Sequence, residues 1–276
     1  MNATLALQVP AMMQRARGSG RIATKLRAGV TVIDRLYQDG CAKIRLPHTH
    51  SNALEAVLIN TAGGLTGGDR MDWTAEIAAE SKAVLTTQAC ERIYRSLGDP
   101  ASVHTRLSIG ATAHLDWLPQ ETMLFASSQL DRRIDIDLAE GASLTAVEAI
   151  LLGRDAMGEL ALDAKLRDNW RVRRNGRLIH AEATHLTGTG SERSAAPLLD
   201  GACAFATIVH IAPLAERRLE TVRALLPTTG RIAASAMGER LIVRAMAESG
   251  LALRRMIVPI IAELSAAGSL PRLWHL

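Results

Sequence analysis

Aromatic side chains are scarce in this chain. Two tyrosines, two phenylalanines and four tryptophans make up 3% of its 276 residues. The stacking platforms with which proteins grip single-stranded nucleic acid are therefore missing. Three cysteines, Cys41, Cys90 and Cys203, form an odd set with no Cys-x-x-Cys pair. That argues against a disulfide framework and a zinc ribbon and fits a reducing compartment. Lysine occurs only at Lys25, Lys43, Lys82 and Lys165, so nearly all positive charge is arginine. No apolar run reaches the roughly 18 residues of a membrane helix. The best stretch, 201–215, contains His210 and Pro213. The first residues lack a basic segment ahead of their short apolar stretch, which argues against a secretory leader. The expectation is a soluble cytoplasmic protein with no membrane and no nucleic acid among its partners.

What is present is ordinary globular composition, 48% hydrophobic and 22% charged. The net charge is +4. Arginine clusters at Arg15/Arg17/Arg21, Arg171/Arg173/Arg174 and Arg217/Arg218 are spread along the chain and interleaved with acids. They read as solvated or interface arginines rather than one continuous basic face.

Up to about residue 210 short runs alternate apolar and polar residues and end at Gly, Asp or Asn. Segments 31–37, 53–60, 84–88, 134–138, 142–152 and 178–183 read as strands; 70–80 is mixed. Glu80-Ser-Lys-Ala-Val-Leu-Thr-Thr-Gln-Ala89 aligns without gaps on Glu140-Gly-Ala-Ser-Leu-Thr-Ala-Val-Glu-Ala149, 60 residues later. Gly110-Ala-Thr-Ala-His-Leu-Asp116 falls between them, and 201–208 reads as a fourth copy. A period near 30 residues built from strands alone predicts stacked β-layers, a β-helix or a solenoid-like sandwich. The last quarter predicts helices over 213–226 and 250–267 around two strands in 231–246. Pro259 should kink or break the second helix and Gly268 should end it. The whole chain, 1–276, reads as a single mainly β domain, β-rich over 20–210 and 231–246, with a small two-helix C-terminal part.

The segment Glu55-Ala-Val-Leu-Ile-Asn-Thr-Ala-Gly-Gly-Leu-Thr-Gly-Gly-Asp69 pairs two Gly-Gly steps with an aspartate. Successive backbone amides in such a loop can cradle an anion. The Gly-Lys-Ser/Thr ending and the following helix of a phosphate loop are both missing, so a tight turn between β-layers is favoured. The same segment resembles the motif of the urease accessory protein UreD (UreH) family. So do Leu85-Thr-Thr-Gln-Ala89, Ile93-Tyr-Arg-Ser96, Trp117-Leu-Pro-Gln-Glu-Thr122 with Phe125, Leu152-Gly-Arg154 with Gly158-Glu159, and Pro271-Arg-Leu-Trp274. The matches keep the family's order from about residue 20 to the end.

The resemblance implies a β-helical protein with a small helical part and no enzymatic activity. It implies partners: urease apoprotein, UreF, and the GTPase UreG through UreF. It also implies delivery of nickel to urease through an internal tunnel, with nickel in transit and no tightly bound cofactor. Ni²⁺ accepts imidazole, carboxylate and thiolate, and an ion in transit needs weak sites. The candidates are Asp69, beside Asp72; Glu121; Glu148, a carboxylate inside an apolar strand; and His180 with Glu182, which share a strand face. Asp69 reads equally as a turn cap, and His180 with Glu182 as a surface ion pair. His48-Thr-His50 follows Pro47 and reads as a solvated loop. Tyr94, Arg95 and Trp274 are candidate partner anchors, and the two C-terminal helices a docking region for a helical partner such as UreF. A β-helix hydrolase using Asp69 and Glu121, and an adaptor that never touches nickel, are the alternatives.

Overall fold

The computed structural model describes residues 14–154, 157–266 and 270–275. The N-terminal stretch to Met13 and the expected helix end at Ala267 and Gly268 lie outside the described residues. The strands follow in chain order: β1 (Arg17–Arg27), β2 (Val30–Gly40), β3 (Ala42–Arg45), β4 (Leu54–Asn60), β5 (Arg70–Ile77), β6 (Lys82–Thr87), β7 (Glu91–Ile93), β8 (Ala101–Ile109) and β9 (His114–Leu118). After them come β10 (Thr122–Leu124), β11 (Gln129–Leu138), β12 (Ser143–Leu152), β13 (Lys165–Arg174), β14 (Arg177–Leu186), β15 (Ala204–Ile211), β16 (Arg231–Met237) and β17 (Arg240–Ala247). They form two sheets. The first runs β14-β13-β11-β8-β5-β1-β2, and the second β16-β17-β15-β12-β9-β6-β4-β3 with β7 and β10 attached.

The chain winds between these sheets as a coil. It leaves β5 in the first sheet, turns into β6 in the second, passes β7 and returns at β8 directly beside β5. Arg70 then pairs in parallel with Ser102, and Ala101 with Leu130 one circuit on. The stacking is β-solenoid-like, as the strand repeat predicts.

The corner between the sheets repeats too. Ser81 N–H donates to Ala78 C=O, Ala113 N–H to Gly110 C=O, and Ala142 N–H to Ala139 C=O. The third residue of each turn, Glu80, Thr112 or Gly141, has positive φ, as a type II turn requires. Stacked corners bond to each other, Glu80 N–H to Ala111 C=O and Thr112 N–H to Glu140 C=O. The faint sequence repeat is therefore this corner. Its register differs by one residue from the ungapped alignment: Lys82 and Ser143 both pair with His114, an offset of 61. The segment 201–208 is not a fourth circuit, because β15 runs antiparallel to β12.

Two apolar clusters result. Ile22, Trp73, Leu115, Ile134 and Trp170 fill the interior of the coil. Val147, Ile208, Val243, Ile257 and Trp274 fill the space between the second sheet and the C-terminal helices. The strand β12 serves both, Leu144, Ala146 and Ile150 facing inward and Val147 and Ala149 outward.

The helices are α1 (Gly190–Ser194), α2 (Leu219–Ala224) and α3 (Gly250–Leu264). The helix expected over 213–226 is shorter and divided. Leu214 takes a left-handed conformation, a 3₁₀ turn follows over Ala215–Arg218, and only then does α2 begin. In α3 the hydroxyl of Ser249 caps the Ala252 amide. Pro259 is carried within one continuous helix, which stops at an extended Ser265. Among the described residues no helix is long and apolar enough to cross a membrane.

The interior tolerates little added volume near β1. A Cβ on Gly20 would lie 2.2 Å from the Trp73 ring. Gly20→Ala is expected to lower the unfolding free energy by about 1–3 kcal/mol through overpacking. Gly98→Ala, where a Cβ meets nothing within 4 Å, should change it by less than about 0.5 kcal/mol. Urea denaturation of both variants checks the pair.

Candidate functional site

Strands of the coil alternate inward and outward residues, so a charged residue in the inward phase enters the interior. In β11 the inward residues are Leu130, Arg132, Ile134, Ile136 and Leu138; in β13 they are Leu166, Asp168, Trp170 and Val172. Glu148 sits in the inward phase of β12. Parallel pairing sets Arg132 beside Asp168 on the next circuit. Arg132 Nε donates to Asp168 Oδ1 at 3.1 Å and Nη2 to Oδ2 at 2.6 Å. Its Nη1 donates to Glu148 and, at 3.1 Å, to Thr122 Oγ1. The indoles complete the set: Trp117 Nε1 donates to Glu148 at 3.0 Å and Trp170 Nε1 to Asp168 at 3.3 Å.

All three ionic side chains are almost fully buried. Burial works against the Arg132 charge, but Asp168 and Glu148 outweigh it and hold the guanidinium firmly protonated. Burial pushes the Glu148 carboxyl well above the usual carboxylate range, against the pull of Arg132.

Beside this network lies a cavity of about 50 Å³ lined by Arg132, Glu148, Thr122, Gln120, Thr105 and Glu91, among others. It has room for water. Gln120 is 7% exposed, and its Nε2 is buried without a partner. Glu91 accepts from Asn60 Nδ2 at 3.0 Å, and burial pushes its carboxyl up to about 7. Toward the helices, Arg254 of α3 donates to Gln120 Oε1 at 2.9 Å and to Glu121 Oε1 at 3.0 Å. Cys90 Sγ lies 3.4 Å from the other oxygen of Glu121, and burial with that carboxylate raises the thiol to about 12. Polar groups thus run from Glu121 through the cavity to Asp168.

The other expected residues are placed separately. Asp69 is buried at the Gly-Gly corner and accepts the amides of Thr66 and Ala16, both at 2.8 Å. It ties the start of β1 to a turn between layers. Asp72 lies on the outer face of the first sheet with Arg70 and Arg106. His180 is buried, with Nε2 at 3.6 Å from Glu182, too far for a hydrogen bond, and burial lowers its pKa. Both oxygens of Glu182 accept from Arg244, at 2.6 and 2.7 Å. His48 and His50 are exposed in a loop. Among the described residues no group of three or more His, Cys, Asp or Glu side chains is arranged to hold a metal ion.

Tyr94 is 37% exposed and meets Phe125 edge to face at 5.1 Å. Together with Arg154, Met157 and Leu251 these rings border a groove of about 680 Å³ at the start of α3. Arg95 is exposed next to it. Trp274 corrects the expectation of a partner anchor. It is 0% exposed, donates to Leu118 C=O at 3.0 Å, and carries Arg254 over its ring at 4.7 Å. An indole so enclosed has no face left for a partner and instead props the arginine that holds Glu121.

Of the residues in this polar network, the sequence reading singles out Glu121 and Glu148 and passes over Arg132, Asp168, Glu91 and Arg254. The first two carry a readable signal, a charged residue in the apolar phase of an alternating strand. Glu91 and Arg254 carry none, since only the fold brings Glu91 to the cavity and Arg254 of α3 against Gln120 and Glu121.

Glu91 makes stability depend on pH. A carboxyl whose pKa rises on folding favours the protonated native state. Its contribution is full below the ordinary carboxylate pKa and is lost as pH climbs through about 7. Relative to the parent, Glu91→Gln should therefore gain about 2–3 kcal/mol of unfolding free energy between pH 5 and pH 8. Equal differences at the two pH values, measured by urea denaturation, would contradict the shift.

The chain is similar to known proteins over nearly its whole length. Residues 16–275 match the family model described as UreD urease accessory protein. Urease accessory protein UreD of Chelativorans sp. (strain BNC1) is 60% identical over 267 residues, 97% of this chain and 96% of that protein. Urease accessory protein UreD of Rhizobium etli is 50% identical, covering 95% of this chain and 96% of its own length. That of Agrobacterium fabrum is 47% identical, covering 98% and 94%. These are accessory proteins and not enzymes. With that extent of identity and the β-coil that the motifs predict, the chain belongs to the UreD urease accessory protein family.

Proposed function

We propose that this chain is a scaffold that binds urease apoprotein and UreF, meets UreG through UreF, and helps pass nickel to the urease active site. The observation that carries the reading is the buried run of polar groups inside the coil of a UreD-family chain. An interior built only for stability would be apolar, because every buried charge there costs desolvation. Nickel is cargo in this reading, and no cofactor stays bound.

Glu121 and Glu148 would supply weak oxygen contacts along the interior, with Glu182 and His180 near one end and Asp69 at a corner. Each has other partners already, so none belongs to a closed metal cage. That suits an ion that must leave again. The groove beside Tyr94 and Arg95 offers aromatic and arginine contacts of the kind that anchor interfaces, and α3 borders it. A helical partner such as UreF would dock there.

The test is co-purification with urease apoprotein and with UreF, followed by nickel-dependent urease activation with and without the chain. Both associations, and activation that requires the chain, are expected. The quadruple variant D69N/E121Q/E148Q/E182Q should still co-purify but activate urease at least tenfold more slowly. Absence of both associations would overturn the scaffold reading. Full activation by the quadruple variant would overturn the path.

A further inference from the structure

Three of the expected acidic groups already hold a guanidinium, while Glu91 accepts from the Asn60 side-chain amide. Arg254 donates to Glu121 at 3.0 Å, Arg244 grips both oxygens of Glu182, and Arg132 joins Glu148 to Asp168. Arg132 is the innermost and is 4% exposed. Its guanidinium lies between two carboxylates from opposite sheets, Glu148 of β12 and Asp168 of β13, and supplies the positive charge between them. We propose that Arg132 is a resident counter-cation that gates the interior, keeping the Glu148–Asp168 site closed to divalent ions and yielding it by moving aside.

Two features support movement rather than a fixed strut. The cavity of about 50 Å³ adjoins Arg132 directly, and a further carboxylate, Glu91, lines it. A displaced guanidinium therefore has space and a carboxyl partner, whose ionised form its arrival would favour. Gln120 Nε2, buried without a partner, is among the cavity's lining groups and supplies a donor for water accompanying an ion. Arginine also suits the task chemically. It does not lose its proton near neutral pH, so such a gate opens by exchange of one cation for another and not by titration. Exchange keeps the carboxylates neutralised throughout, which avoids the cost of an unpaired buried charge. It also makes affinity for the passing ion low, because the ion must displace a charge held by several hydrogen bonds.

The inference rests on the nickel-path reading, but its test does not need urease. Isothermal titration of the purified chain with Ni²⁺ alone compares the parent, Arg132→Met, and Arg132→Met with Glu148→Gln. Arg132→Met should gain one site at least tenfold tighter than any in the parent, and the added Glu148→Gln should remove it. That control separates the interior site from exposed histidines such as His48 and His50. If circular dichroism shows that Arg132→Met does not fold, Arg132→Lys keeps the charge and loses the fork. It should bind Ni²⁺ severalfold more tightly than the parent. A folded Arg132 variant with no gain in Ni²⁺ affinity overturns the gate and leaves the path standing. Full urease activation by Glu148→Gln would overturn the path at this point, whatever the titration gives.

Discussion

A charge placed inside a β-coil must find an opposite charge inside the same coil. This constraint organises the interior. Water cannot reach Arg132, Glu148 or Asp168 in quantity, so each depends on the others and on Trp117, Trp170 and Thr122 for its hydrogen bonds. Stacking at about 4.8 Å per strand brings Arg132 and Asp168 side by side, and the pairing Arg132↔Asp168 fixes their register. A one-residue slip of β11 would turn Arg132 outward and leave Glu148 and Asp168 without their counter-charge in the interior.

The outer surface obeys a different economy. On the first sheet, Arg70 and Arg106 meet Asp72, while His104 and Arg133 meet Asp135. Such partly solvated pairs contribute little stability each. They account for the interleaved arginine and aspartate of the sequence, which keep this broad face from being one basic patch. The opposite sheet is covered by α3 and its neighbours, and the apolar groove opens at the start of α3, beside Tyr94 and Phe125. Interior and charged face are thus two products of one strand alternation, while the groove is built by the loop after β12 and the start of α3.

Much of this was legible in the residues. Alternation gave the strands, and the corner residues near Glu80, Gly110 and Glu140 gave the circuit length. The motifs from Glu55 to Trp274 pointed to the family. Register was not legible, because circuits differ in length and an ungapped alignment cannot absorb that; Lys82 and Ser143 are equivalent at 61 residues and not 60. The helix at 213–226 was overestimated because no residue pattern announces a left-handed Leu214. Trp274 looked like an anchor because aromatic side chains dominate interface hot spots, yet its indole completes the second core. Glu148 was found by its misfit in an apolar strand. The same test applied to Leu130–Leu138 would have found Arg132.

The central claim is that the polar interior is a route for nickel. The most direct measurement is anomalous diffraction at the nickel edge from crystals of the chain soaked in Ni²⁺. A peak in the cavity beside Glu148, with Arg132 shifted toward Glu91, is the predicted result. Nickel found only at exposed histidines such as His48 and His50, with the interior unchanged, would contradict the account.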